Sequence, residues 1–254
     1  MSADAGSPAG ARDSSLRIAT WNIHDARGAD GRRDLPRVAR VIAHLDAALV
    51  GLQEVSCGPS EACDVAELAS SNGYRWHAIP TVQSRDAELV RGNALLTTLP
   101  VDEVRIHDLS VAGREPRGAL EARVRWRSLR LRVVVTHLGL RAGERRHQVE
   151  RLLGIISDED VAATILLGDI NEWLLWGRPL RWLHRRFGNS PALRTFPARA
   201  PLFALDRIWV HPPLALAGVE RVSSGGARLA SDHLPLVATL RVPEENGSPP
   251  TPRS

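Results

Sequence analysis

Several acidic, amide and imidazole side chains stand at the ends of apolar segments in this chain of 254 residues. The stretch ILLGDINEW, residues 165–173, runs from an apolar segment directly into Asp169 and Asn171. A strand that only filled a core would be expected to end in ordinary turn residues. Other apolar segments are bounded by Asn22, Glu54, His137, Asp206, Asp232 and His233. Because a sandwich of sheets gathers its loops at one end, we predict that these side chains form one site.

The donor types in this set indicate the chemistry of the site. Carboxylate and amide oxygens, with no cysteine among them, are hard ligands that suit Mg²⁺ or Mn²⁺ better than zinc. The two histidines and the further carboxylates supply what the hydrolysis of a phosphoester requires. In such a reaction a metal ion polarises the phosphoryl oxygen, a base positions water, and a cation stabilises the developing negative charge.

Each of these residues also has a plain structural explanation when it is taken alone. Asn22 can close a turn, Asp232 can cap one, and His137 can be a hydrogen-bonded core histidine. Glu54 is more suspicious, because an uncompensated carboxylate after a buried strand is costly. All of them fall at strand boundaries, and this joint placement favours a catalytic site.

The segments that must position these residues are mostly strands. Apolar alternation or short apolar runs predict strands at residues 16–23, 47–55, 92–98, 119–126, 129–138, 163–169, 205–211 and 234–242. The short break after residue 126 predicts a hairpin. Helical spacing predicts one helix after Pro36 and a second around residues 149–156. Strands with interspersed helices suit an α/β fold with two sheets packed face to face and helices outside.

Composition and charge are those of a globular protein, with 43% hydrophobic and 24% charged residues. The net charge is +4, and every one of the 33 basic residues is Arg. Arginine favours bidentate contacts with phosphates, membrane head groups or acidic partners. Codon bias in a GC-rich genome is the simpler explanation for the absence of lysine itself.

The two ends of the chain differ from the rest in composition. Residues 1–15 and 243–254 are rich in Ser, Pro, Gly and charge, which predicts disordered tails around one domain at residues 16–242. No signal peptide and no transmembrane segment are expected. We therefore predict a cytoplasmic monomer, with peripheral contact at the inner membrane face left open. Cys57 and Cys63 are too few for a structural zinc site, and they form either a local bridge or two thiols.

Seven short blocks, in order, resemble the signature blocks of the endonuclease/exonuclease/phosphatase superfamily. They are TWNI, LQEV, GNALL, THL, GDIN, LDRIWV and SDHLPL, and they span about residues 16–241. The superfamily includes DNase I-like nucleases, exonuclease III-like repair enzymes, neutral sphingomyelinases and inositol polyphosphate 5-phosphatases. The resemblance implies a DNase I-like, four-layer α/β/β/α sandwich. It also implies metal-dependent, in-line attack of water on a phosphoester, without a covalent intermediate.

The resemblance implies a role for each matching acidic or amide residue. Glu54 would be the principal ligand of Mg²⁺ or Mn²⁺, with Asn22 beside it. Asp232 would be a further metal ligand or a group next to the ligands. Asp169 would orient or deprotonate the attacking water, and Asn171 would hold a phosphate oxygen.

Roles for the histidines and their neighbours follow from the same resemblance. His233 would contact the scissile phosphate and stabilise the transition state, with its imidazole oriented by Asp206. His137 would bind the phosphate or assist the leaving oxygen, and Asn93 would line the site.

Departures from the family pattern bear on the substrate. The usual GNAILSR appears as GNALLTT, so an arginine contact to phosphate must come from elsewhere, such as Arg91 or Arg117. The segment that begins with WNIH resembles the sphingomyelinase-like bacterial branch. We therefore predict a phosphodiesterase whose substrate is of phospholipid type. The alternatives are a DNase I-like nuclease and a non-catalytic binding or scaffold module.

The segment at residues 171–188 combines Trp and Arg directly after the GDIN block. One interpretation is a substrate-side loop and short helix, in which Trp173 and Arg178 contact nucleic acid or an anionic membrane. The other is a helix whose Trp and Leu pack on the sheet while its Arg face is solvated. The sequence leaves both interpretations open.

Overall fold

The structure is a computed structural model that describes residues 15–57, 64–80, 90–156, 161–211 and 215–241. The strands in these ranges are β1 (Ser15–Asn22), β2 (Leu49–Cys57), β3 (Arg75–Pro80), β4 (Val90–Thr97), β5 (Val101–Asp108), β6 (Gly118–Trp126), β7 (Leu129–His137), β8 (Ala163–Asp169), β9 (Asp206–His211), β10 (Ala215–Arg221) and β11 (Leu236–Arg241). The helices are α1 (Leu35–Leu45), α2 (Asp64–Asn72), α3 (Ala142–Ile155), α4 (Arg178–Phe187) and α5 (Ala227–Ala230). All the predicted strands and both predicted helices are confirmed, and β3, β5, β10, α2 and α5 are additional.

The strands form two mixed sheets. The six-stranded sheet has the order β10-β11-β1-β2-β4-β3, and the five-stranded sheet has the order β5-β6-β7-β8-β9. The pairs β1–β2 and β7–β8 are parallel, and the other neighbours are antiparallel. The predicted hairpin is the antiparallel pair β6–β7.

Three apolar clusters define the layers. The inner faces of the two sheets share one core, to which Ile18, Leu49, Val133 and Ile165 contribute. A second cluster joins the outer face of the six-stranded sheet to α1, α2 and α5. A third joins the outer face of the five-stranded sheet to α3 and α4. The molecule is therefore the predicted four-layer α/β/β/α sandwich.

Helix α1 illustrates how local sequence sets these elements. Asp34 caps its first turn by accepting a hydrogen bond from the backbone N–H of Arg37 at 2.9 Å, and a proline occupies the first turn. Its predicted apolar residues, from Val38 to Leu45, are fully buried. Asp46 ends the helix in a left-handed conformation with φ of 47°.

Some predictions concern residues that the structure leaves undescribed. The predicted tails fall outside the described residues, apart from Ser15, which begins β1. Cys63 and the side chain of Cys57 are also outside them. Among the helices that the structure describes, none has the length and apolar character needed to cross a membrane.

Candidate active site

The C-terminal ends of two parallel strand pairs meet at one edge of the sandwich. In the pair β7–β8, His137 stands opposite Asp169, and both are the last residues of their strands. In the pair β1–β2, the last residue Asn22 stands opposite Gln53, directly before Glu54. A cavity of about 250 Å³ opens at this edge. Of the predicted site residues, it is lined by Glu54, Asn93, Arg117, His137, Asp169, Asn171, Trp173 and His233.

The close approach of β7 and β8 depends on Gly168. This residue has φ of +146°, and a Cβ built on it would lie 1.9 Å from the carbonyl oxygen of Thr136. A side chain at this position would therefore separate the two strands. Glycine here allows Asp169 to lie beside His137.

Asp169 is the buried centre of the cluster. Its Oδ2 accepts a hydrogen bond from Nδ2 of Asn22 at 3.1 Å. The same oxygen lies 3.5 Å from Nε2 of His137 and 3.6 Å from Nε2 of His233. Its Oδ1 accepts from the backbone N–H of Asn171 at 2.9 Å. A carboxylate with this many donor groups nearby is fixed in orientation.

His233 is paired with Asp206, as the sequence predicts. Nδ1 of His233 lies 2.9 Å from Oδ2 of Asp206, and both side chains are buried. Burial on its own lowers the pKa of a histidine, but the charges of Asp206 and Asp169 outweigh it and raise the pKa of His233 to about 10. The ring is therefore an imidazolium at neutral pH.

His137 has the opposite protonation state. Burial lowers its pKa to about 3, and Arg117 and His233 add to that effect while Asp169 opposes it. The guanidinium NH1 of Arg117 lies 3.1 Å from Nδ1 of His137. Because a guanidinium can only donate, Nδ1 of His137 is the acceptor in this contact.

Glu54 brings a carboxylate to the cavity wall, and Asn22 fixes its orientation. Glu54 lines the cavity and lies at an irregularity of β2, where its φ is +54°. Nδ2 of Asn22 donates to Oε1 of Glu54 at 3.0 Å, which places the two side chains together. The carboxylate of Asp169 is bonded to the same Asn22. Oxygen donors of this kind, with no thiolate among them, fit Mg²⁺ or Mn²⁺.

A second group of ligand-type atoms belongs to Asp169, Asp206 and His233, which all lie within 4.8 Å of one another. In this group the ring nitrogen Nδ1 of His233 is already bonded to Asp206. The contact between His233 and Asp206 has the distance of a hydrogen-bonded ion pair. The metal role of Glu54 and Asn22 stays a prediction.

The two remaining amide residues are held firmly at the cavity wall. Asn171 has a positive φ of 52°, and its Nδ2 donates to the carbonyl oxygen of Leu138 at 2.9 Å. That nitrogen also lies 2.9 Å from Nε2 of His137. Asn93 donates to the carbonyl oxygen of Gly118 at 2.9 Å. Residues other than glycine rarely adopt the left-handed conformation of Asn171.

Four predicted residues are absent from the cavity lining. Asn22 and Asp206 are hydrogen-bonded to residues that line it. Among the described residues, Asp232 and Arg178 have no such contact. Asp232 lies beside His24, with Oδ1 at 3.6 Å from Nδ1 of that histidine, and it is not part of the cavity lining. Arg178 is exposed on the first turn of α4, also outside the lining. The proposed metal role of Asp232 and substrate role of Arg178 thus remain predictions without a cavity contact.

The segment that combines Trp and Arg divides into two parts. In α4, the residues Leu180, Leu183 and Phe187 are buried against the sheet, while Arg181 and Arg185 are exposed, as the plain helical interpretation predicts. In the preceding loop, residues 173–176 are exposed, and Trp173 lines the cavity. The helical part therefore follows the plain interpretation, and the substrate-side role of the loop stays a prediction.

Sequence reasoning missed three residues that shape the site. Glu172 is buried and pairs with Arg145, with 3.2 Å between Oε2 and Nε. The ring of Phe196 lies 4.9 Å from that of His233. The one available signal was Glu172 itself, a charged residue directly after the GDIN block. Phe196 has no motif that distinguishes it from a core residue.

Comparison with known proteins gives a consistent result. Residues 19–233 match the model of the Endonuclease/Exonuclease/phosphatase family. The chain is 32% identical over 249 residues to the uncharacterized protein YbhP of Escherichia coli (strain K12), covering 90% of this chain and 97% of that one.

Solved structures with low sequence identity share the fold. An endonuclease/exonuclease/phosphatase from Beutenbergia cavernae has a TM-score of 0.74 at 21% identity, covering 90% of this chain and 72% of that chain. A mannosyl-6-phosphatase from Bacteroides thetaiotaomicron has a TM-score of 0.67 at 16% identity, covering 88% and 98%.

Proposed function

The chain belongs to the endonuclease/exonuclease/phosphatase family, whose members are metal-dependent hydrolytic enzymes, and from that premise we propose that it hydrolyses phosphodiesters. The observation that supports this proposal is the set of polar groups around the carboxylate of Asp169. One carboxylate oxygen has Asn22, His137 and His233 within 3.1, 3.5 and 3.6 Å. A buried carboxylate held in this way beside an open cavity is suited to orient a water molecule and take its proton.

The two histidines have different parts in the proposed reaction. His233, an imidazolium, donates a hydrogen bond to the phosphoryl group and stabilises negative charge as it develops. Asp206 holds that ring in place through Nδ1. His137, which is neutral, contacts a phosphate oxygen without adding a charge. Asn171 fixes the same oxygen, and Arg117 adds a cation at the wall of the cavity.

Glu54, with Asn22 beside it, would hold Mg²⁺ or Mn²⁺. When bound, the ion polarises a phosphoryl oxygen and neutralises part of its charge. The substrate class that we propose is a phospholipid-type phosphodiester, because exposed apolar side chains lie next to Trp173 at the cavity. A nuclease is the second candidate, since the exposed Trp173 can stack on bases while the arginines of α4 contact phosphates.

The test is hydrolysis of bis(p-nitrophenyl) phosphate by protein stripped with EDTA, before and after Mg²⁺ or Mn²⁺ is restored. We expect activity to depend on the added ion. Glu54→Gln should raise the metal concentration for half-maximal rate by about tenfold or more, as expected for a metal ligand. Glu220→Gln, which changes an exposed glutamate on β10, is the matched control. Full activity in the stripped protein would exclude a metal-dependent reaction.

The substrate class is decided by a parallel assay. Phospholipid vesicles, plasmid DNA, single-stranded RNA and inositol phosphates are offered with the same metal ion. Release of a phosphorylated head group supports the phospholipid proposal. Nicking of plasmid DNA with inert vesicles would replace it by the nuclease, and binding without turnover of any substrate would indicate a scaffold.

A further inference from the structure

Exposed apolar side chains are concentrated at one place in the described part of the chain. The described residues include nine exposed large hydrophobics. Seven of them lie in three loops, and the other two are Ile106 and Leu229. These seven, which we call the apolar rim, are Leu140, Trp173, Leu174, Leu175, Trp176, Leu202 and Phe203. Scattered exposed hydrophobics are ordinary, whereas a concentrated patch marks an interaction surface.

The apolar rim borders the catalytic cavity. Leu140 and Trp173 line the cavity itself. The ring of Trp173 packs edge-on against Phe203, with 4.7 Å between the centroids, and against Phe196, with 5.8 Å. Phe196 in turn touches the ring of His233. Segments from three loops thus meet at the mouth of the site.

A buried ion pair holds two of these loops together. Glu172 accepts a hydrogen bond from the backbone N–H of Leu174 at 3.2 Å, and its other oxygen pairs with Arg145. Arg145 donates to the carbonyl oxygen of Leu140 at 2.6 Å. The exposed side chains of Leu174 and Leu140 therefore stand on a common, ordered base. A surface that is ordered before binding loses less conformational entropy when a partner covers it.

The chain segment that carries six of the seven rim residues contains basic but no acidic side chains. From residue 173 to residue 205 the sequence contains six arginines and no Asp or Glu. Arg178, Arg181 and Arg199 are exposed among them. Such a surface attracts a polyanion. It opposes the pairing of two copies through this face, because like charges would be brought together.

The apolar residues distinguish between two kinds of anionic partner. Nucleic acid could stack on Trp173 and Trp176, but it offers nothing to the four exposed leucines, since aliphatic side chains do not stack on bases. A phospholipid surface accommodates both groups. Trp and Leu enter the boundary between head groups and acyl chains, and arginines contact the head-group phosphates.

We propose that the apolar rim is a docking surface for an anionic phospholipid membrane. Docking would place the mouth of the cavity at the level of the head groups, where phosphodiesters lie. The docking itself requires no hydrolysis. Only the idea that docking brings head-group phosphodiesters to the active site rests on the proposed function.

The test is sedimentation of the full chain with vesicles, in EDTA so that no turnover occurs. Vesicles of phosphatidylcholine with phosphatidylglycerol are compared with vesicles of phosphatidylcholine alone. We expect binding to the anionic vesicles, and a loss of about tenfold or more in the partition coefficient for Leu175→Ser/Trp176→Ser, because apolar burial drives insertion. Ile106→Ser is the matched control, since Ile106 is 62% exposed on β5 and Trp176 is 69% exposed.

Several outcomes would overturn the docking proposal. These are an absence of vesicle binding by the unchanged protein, equal binding by the double variant, and a loss of binding in Ile106→Ser. Retention by double-stranded DNA without vesicle binding would assign the rim to nucleic acid, and dimers that dissociate in Trp176→Ser would assign it to a second copy. Thermal unfolding of each variant confirms that it is folded. Hydrolysis of the soluble ester tests the proposed function separately.

Discussion

The two sides of Asp169 are alike in geometry and different in charge. His137 lies on one side and His233 on the other, each buried and each with Nε2 about equally far from the same carboxylate oxygen, at 3.5 and 3.6 Å. Burial would lower the pKa of both. The pKa of His137 falls to about 3, whereas that of His233 rises to about 10.

The difference comes from the second neighbour of each ring. Nδ1 of His137 faces the cation of Arg117, and Nδ1 of His233 faces the carboxylate of Asp206. Burial keeps the ring of His137 neutral, with the charge of Arg117 adding to the effect. For His233, the charge of Asp206, with that of Asp169, outweighs burial and gives a cationic ring.

Asp169→Asn changes the carboxylate that both histidines face, and it should have the largest effect. The amide keeps the shape of the side chain but cannot take a proton from water. We expect the rate of ester hydrolysis to fall by about 10²- to 10⁴-fold, the usual contribution of a general base. Steady-state kinetics at saturating metal measures it, with Glu220→Gln as the control. An unchanged rate would mean that Asp169 has no part in the reaction.

Asp206→Asn removes the carboxylate from one side only. His233 then loses the charge that maintains its proton, and we expect the rate to fall by about 10- to 100-fold, the range for carboxylates that orient histidines in metal sites. The double variant Asp206→Asn/His233→Gln separates positioning from an independent role. Its rate should equal that of His233→Gln alone, and a further loss in the double variant would contradict action through His233.

Arg117→Gln removes the cation from the other side and should have a smaller effect. Arg117 is within reach of both His137 and the cavity, so its loss weakens phosphate binding. We expect KM to rise by about tenfold, corresponding to one hydrogen bond to a charged group. Arg125→Gln is the matched control, because Arg125 also forms an ion pair, with Asp102 at 2.9 Å, but on the surface. A fall in kcat without a change in KM would assign Arg117 to the chemical step.

The sequence predicts the polar centre of the site well because strand order and register bring it together. His137, Asp169 and Asn22 end apolar segments, and in parallel pairs such ends meet at one edge of the sheet. Their placement therefore follows from the two parallel pairings. The edge strand β5 was missed because its residues are largely exposed and lack a clear alternation.

The surroundings of the centre depend on contacts that sequence spacing does not encode. Glu172 and Arg145 are 27 positions apart and meet only because α3 packs behind the loop. Phe196 reaches His233 through a loop whose path no strand determines. For the same reason the sequence could not show that Asp232 turns toward His24, although the motif SDH suggested a metal ligand.

A further expected effect is on stability, and it has opposite signs on the two sides of Asp169. The folded protein holds the proton of His233 more tightly than the unfolded chain, since its pKa of about 10 exceeds the ordinary 6.5. That stabilisation is complete below about pH 6.5 and is lost as the pH rises toward 10. For His137, with a pKa of about 3, the unfolded chain binds the proton more readily. Stability is therefore lost as the pH falls from about 6.5 toward 3.

Urea unfolding of His137→Gln and His233→Gln in EDTA separates these two contributions. Relative to the unchanged protein, His137→Gln should gain free energy of unfolding as the pH falls to about 4, because the variant no longer suffers the acid loss. His233→Gln should gain it as the pH rises to about 9, for the opposite reason. His147→Gln, on the exposed face of α3, is the surface control. If the two variants changed in the same direction with pH, then Arg117 and Asp206 would not be what distinguishes the histidines.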